Sequence, residues 1–149
     1  NSYFYGRNFK MKKDNFDFEI SFYEGLIQKK PDFTEALFLL GDLYTKKGLY
    51  EEGLKIDKKL LKLRPLDPVV HYNLACDYSL LKRIDSSLKA LRRALELGFR
   101  DFRLIEEDPD LELIRKDKRF ELLIFEFKRG SKRKFKSFKK IKSKDISQY

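Results

Sequence analysis

A chain of 149 residues suits one domain, or a short array with a tail. Hydrophobic residues make up 42% and charged residues 39%, so a core can form beneath a heavily solvated surface. The net charge of +10 is lopsided, because residues 128–149 hold ten Lys or Arg and one acid (+9) while the other 24 basic and 23 acidic residues leave +1 for the body.

The single Cys76 excludes an intrachain disulfide. No apolar run approaches the ~18 residues that a membrane-spanning helix needs, and no signal peptide is visible. The chain begins at Asn1 rather than Met, as a processed product or a fragment would, with any targeting segment lost upstream. The compartment is therefore open, with cytoplasmic or membrane-peripheral placement expected.

Residues 1–33 become legible against the stretch that follows. A shift of 34 aligns Lys12-Lys13-Asp14-Asn15-Phe16-Asp17 with Lys46-Lys47-Gly48-Leu49-Tyr50-Glu51, Leu26-Ile27 with Leu60-Leu61, and Pro31 with Pro65. Gly6 and Phe9 align with Gly41 and Tyr44 at a shift of 35, so one residue is inserted before Asp14. This is a degenerate first unit.

Residues 34–67 form the clearest unit, two helices broken at Lys47-Gly48. Leu37, Leu40, Gly41 and Tyr44 lie on one face of the first helix. Tyr50, Gly53, Leu54, Leu60 and Leu61 mark the second, which Pro65 stops. Asp32 with Glu35 reads as a capping box for the first helix. Asp67, followed by Pro68 in the first turn, is a cap for the next. Shifted forward, Leu40, Gly41 and Tyr44 become Leu74, Ala75 and Tyr78; Leu54 becomes Leu88, and Leu60-Leu61 becomes Ala94-Leu95. Gly98 fits a left-handed C-cap. Beyond it, Asp108-Pro109 repeats the cap-and-proline pattern, and Leu111, Ile114, Phe120, Leu123 and Ile124 offer an apolar face.

Large and small residues at these offsets resemble the tetratricopeptide repeat (TPR), a helix-turn-helix unit of about 34 residues. Leu37 stands at that pattern's tryptophan position and Leu60 at its late alanine. The string ELGFRDFRLIEEDPDLELIRKDKRFELL is similar to the DPDL…LR…RF terminal segment of bacterial TPR proteins, which covers the apolar end of a stack. The resemblance spans residues 1–125. It implies an all-α, right-handed superhelical stack: residues 1–127 divided into a partial repeat (1–33), repeats at 34–67 and 68–100, and capping helices (101–127), then a basic flexible tail (128–149).

The resemblance also implies a concave groove lined by the first helix of each repeat. Carried onto this chain, its contact positions fall on Phe38, Asp42 and Thr45, with Glu35 and Lys46, and on Tyr72, Asn73, Cys76 and Ser79, with Val69. The degenerate first unit adds Tyr3 and Arg7, with Lys10. Phe38 and Tyr72 share a repeat position, so their rings are expected side by side, where aromatic anchors bind at low entropic cost; packing between helices is the plainer alternative. Relatives that grip a C-terminal carboxylate use a lysine and asparagines where this chain has Phe38 and Asp42. A peptide with apolar side chains and a basic group for Asp42 fits better, helix-in-groove being one mode.

Catalytic chemistry is hard to find. His71 falls at the repeat's tryptophan position and reads as a core histidine. Cys76 has no histidine close by in sequence. Glu106, Glu107, Asp108, Asp110 and Glu112 lack calcium-loop spacing, and neither phosphate loop nor zinc pattern occurs. The reading is therefore a non-enzymatic scaffold with no cofactor, no metal and no small-molecule substrate, its partner a peptide or helix of a subunit in a multi-subunit assembly.

Gly130-Ser131 is expected to end the last helix. The tail beyond, Lys132, Arg133, Lys134, Phe135, Lys136, Phe138, Lys139, Lys140 and Lys142, places Phe135, Phe138 and Ile141 among lysines. Such a segment can neutralise phosphates and stack on bases, bind an anionic membrane, dock on an acidic protein, or only solubilise. A nucleic-acid- or membrane-associated factor is thus the rival class, and a regulatory fragment of a longer chain is a third.

Overall fold

A computed structural model describes residues 16–130. Five helices of similar length come first: α1 (Phe16–Lys29), α2 (Thr34–Lys47), α3 (Tyr50–Leu63), α4 (Pro68–Leu80) and α5 (Ile84–Glu96). A short α6 (Phe102–Glu107) leads through a 3-10 turn (Pro109–Leu111) into a one-turn α7 (Glu112–Arg115). The last helix, α8, spans 118–130. No strand occurs among the described residues.

Local chemistry sets the boundaries. Gly48 ends α2 with φ 84, a left-handed geometry that a β-carbon would penalise. Its N–H and that of Leu49 return to the Thr45 and Tyr44 carbonyls. Asp67 caps α4 by accepting from Val69 N–H at 2.9 Å, with Pro68 in the first turn. Gly98, at φ 107, turns the chain after α5. The box expected from Asp32 does not form: Phe33 is the N-cap residue of α2, with no side-chain bond. Thr34 donates instead to Glu35. α8 extends to Gly130, the last described residue, so the helix end expected at Gly130-Ser131 lies at the edge of the described residues.

The helices keep a strict period. Second helices begin at residues 50, 84 and 118, and first helices at 34, 68 and 102, each 34 apart. The capping segment is therefore a fourth unit of the same array. Its first helix is split into α6 and α7 by Asp108-Pro109, and α8 is its second.

Two apolar clusters fill the stack. Ile20, Ile27, Leu37, Leu40, Leu54, Leu60, Val70 and Leu74 belong to the first. The second joins Tyr72, Leu91, Leu95, Phe99, Ile105, Leu111, Ile114 and Phe120 to Leu123 and Ile124. α4 lies between them and gives one face to each. All five residues expected to form the terminal apolar face are buried.

Candidate functional site: the inner helices and their acids

Close approach of α2 and α3 rests on two glycines. A β-carbon on Gly41 would come within 3.0 Å of Asp57 Oδ1, and one on Gly53 within 3.2 Å of Thr45 Oγ1. Thr45 is half-buried and donates to the Gly41 carbonyl at 3.1 Å. Of the other groove positions on α2 and α4, Phe38, Asp42, Tyr72, Asn73, Cys76 and Ser79 are buried, Val69 is half-buried, and Glu35 and Lys46 are exposed. Tyr3, Arg7 and the tail residues Lys132–Lys142 fall outside the described residues.

The expected Phe38–Tyr72 row does not form, because the two rings pack into different clusters. Tyr72 stacks on Phe99, with centroids 4.4 Å apart and planes 5° from parallel. Its hydroxyl donates to Asp108 Oδ2 at 2.5 Å, while Asp108 Oδ1 accepts from Asp110 N–H at 3.0 Å. Phe38 has the Arg64 guanidinium 5.7 Å from its ring centroid. His71 is not a core histidine: half-buried, it bonds through Nε2 to the Pro65 carbonyl at 2.7 Å.

Carboxylates from four elements converge here: Asp42 on α2, Asp57 on α3, Asp77 on α4, and Asp108 with Asp110 in the fourth unit. Asp42 pairs with Lys46 at 2.6 Å. Asp57 and Asp77, each 2% exposed, face one another across the α3–α4 contact. Burial, then repulsion from Asp42, pushes the Asp57 carboxyl up to about 6, although a hydrogen bond from Asp77 opposes this. Burial, then the Asp57 charge, holds Asp77 well above the usual carboxylate range. Asn73 Oδ1 and Ser79 Oγ are buried with no hydrogen-bond partner among the described residues.

Cys76 Sγ lies within 4.8 Å of Asp108 and Asp110 oxygens. Burial, then the Asp108 charge, pushes the thiol up, so it stays protonated and is not an activated nucleophile. Asp108 is committed to its bonds with Tyr72 and Asp110.

Sequence reasoning missed Asp57 and Asp77. One signal was available for Asp57, which interrupts the Gly53-Leu54 to Leu60-Leu61 stripe at helical spacing and aligns with Leu91 at the 34-residue shift. Asp77 carries part of the same mark, aligning with Leu43 at the 34-residue shift.

Residues 34–65 and 69–97 each match the family model for the tetratricopeptide repeat. The chain is 39% identical over 103 residues to a chloroplastic protein of Arabidopsis thaliana, a match that covers 67% of this chain and 29% of that protein. It therefore spans under a third of that relative's length. Among solved structures, the MamA RS-1 ArsTM double mutant is similar with a TM-score of 0.57, at 15% identity, over 79% of this chain and 68% of that one, a likeness of fold alone. The chain thus carries TPR repeats in a helical stack, a module type that mediates protein–protein interaction. No helix among the described residues is long and apolar enough to cross a membrane.

Proposed function

From a stack that carries TPR repeats, we propose a protein-interaction scaffold whose inner helices, α2 and α4, receive a peptide or helix of a partner within a multi-subunit assembly. One observation carries the choice of site. Asn73 Oδ1 and Ser79 Oγ are buried on one helix with no hydrogen-bond partner among the described residues, and such groups cost stability in the free chain. A partner that presents an ammonium, guanidinium or amide N–H would satisfy them. The neighbouring Asp42 and Asp57 favour a basic group.

The test uses an Asn73→Ala/Ser79→Ala double variant. Because it removes groups that lack a bonding partner, its thermal midpoint should equal or exceed that of the parent chain. Affinity capture from the native cell should nevertheless lose the parent's partner set. A set retained in full by the folded variant sinks the inner-helix reading. A second bait ending at Gly130 tests the rival: loss only on truncation, with sensitivity to nuclease, moves the function to the basic tail.

A further inference from the structure

The second helices carry a pattern that the inner face does not explain. On α3, Lys55, Lys58, Lys59 and Lys62 recur at i, i+3, i+4 and i+7, and all four are exposed. A shift of 34 carries the first three onto Lys89, Arg92 and Arg93 of α5, also exposed. Basic residues thus occupy the same repeat positions on two neighbouring helices, well away from the tail. Among the described residues, the side chains of Lys55, Lys58, Lys59, Lys62 and Lys89 have no ion-pair or hydrogen-bond partner. Between the helices runs a groove of about 520 Å³, with Leu61 of α3 on one side, Leu74 and Tyr78 of α4 at its base, and Lys89, Ala90 and Arg93 of α5 on the other.

The next junction along the stack shows what complements such a surface. Where α8 lies beside α5, Glu126 stands one period after Arg92 and takes its guanidinium through two bonds, at 3.2 and 3.0 Å. Phe127 packs against the second core cluster, with the Arg92 and Arg100 guanidiniums 6.0 and 5.6 Å from its ring centroid. An acid and an apolar side chain close that junction. One period earlier, Lys58 takes the place of Arg92, so basic residue follows basic residue from α3 to α5. The α3–α5 junction has the apolar floor and one acid, Glu96, which takes Arg93 of its own helix at 3.3 Å, so Lys58 and Lys89 are left without a carboxylate.

We propose that the groove between α3 and α5 is a second docking site, which takes an acidic amphipathic segment of a partner protein: apolar side chains on Leu61, Leu74, Tyr78 and Ala90, carboxylates on Lys58 and Lys89. A recessed apolar floor suits an inserted side chain. A bilayer would need apolar groups that protrude, and unpaired bases would need exposed rings. The site is independent of the inner-helix reading.

The probe is a short synthetic peptide of Glu and Leu at helical spacing, bearing one benzoylphenylalanine and a fluorescent label. Photo-crosslinks mapped by mass spectrometry on the full chain should fall on α3, α4 and α5 around Leu61, Tyr78 and Ala90. Lys58→Glu/Lys89→Glu, which alters only exposed side chains, should keep its melting temperature and bind about tenfold or more weakly. A control peptide with Ser for Leu should lose the mapped crosslinks. Crosslinks confined to residues 131–149, or unchanged affinity in the charge-reversed variant, would overturn the proposal. So would vesicles of phosphatidylserine and phosphatidylcholine, or a single-stranded oligonucleotide, that compete the peptide off through Lys58 and Lys89.

Discussion

Asp57 stands where the next repeat has Leu91, and that single replacement changes how the stack responds to protons. Its carboxyl and that of Asp77 hold their protons to higher pH in the folded chain than in the unfolded one. The folded state therefore binds more protons from about pH 4 upward, and the stability due to the pair falls as pH rises through about 6. For Asp57, moved from 3.8 to about 6, the loss is on the order of 3 kcal/mol. Asp57→Asn keeps the shape and removes that titration. In urea melts, the variant should gain on the parent chain between pH 4 and pH 7 by up to about that amount. Parallel stabilities across the range would mean that the two carboxyls do not meet. The pair was only half legible in the sequence: an acid inside an apolar stripe is visible, but its partner lies on another helix, and burial is a property of the packed stack.

Among the elements, the fourth unit shows how an array ends. α6, the 3-10 turn and α7 replace a continuous helix because Pro109 has no N–H to continue one and Asp108 caps the restart. Arg115 holds the broken backbone by donating to the Ile105 and Asp108 carbonyls. α8 then brings Phe120, Leu123 and Ile124 onto the cluster containing Leu88, Leu91 and Leu95. Each such side chain contributes roughly 1.5–3 kcal/mol. A chain that ends at Lys116 should accordingly melt about 10 °C or more below one that ends at Gly130, or precipitate. Equal melting temperatures, measured by circular dichroism, would show α8 to be dispensable. Helix positions were largely readable beforehand, since Gly48, Pro65 and Asp67-Pro68 act through a few neighbouring bonds. That the cap is a repeat was not. Its residues have drifted, and what survives is the spacing of helix starts, which becomes visible once the helices are placed.

Across the whole molecule, order along the array should appear as order in stability. Each unit packs on its neighbours alone, so stability is close to a sum of local terms. The apolar interior divides accordingly into a cluster spanning α1 to α4 and another spanning α4 to α8, with Val69 and Ala90 touching both. The same segregation separates the inner acids from the lysines of α3 and α5, although a formal body charge of +1 conceals it. Leu37, fully buried on α2, belongs to the first cluster. Leu37→Ala should cost about 2–5 kcal/mol there. If the two clusters open separately, amide exchange in α1, α2 and α3 should accelerate tenfold or more, while α5 and α8 keep the protection they have in the parent chain. A uniform loss of protection from α1 to α8 would instead show that α4 couples the halves into one cooperative unit. In that case a ligand at the inner helices and one in the α3–α5 groove would stabilise the same state, and each would raise the other's apparent affinity.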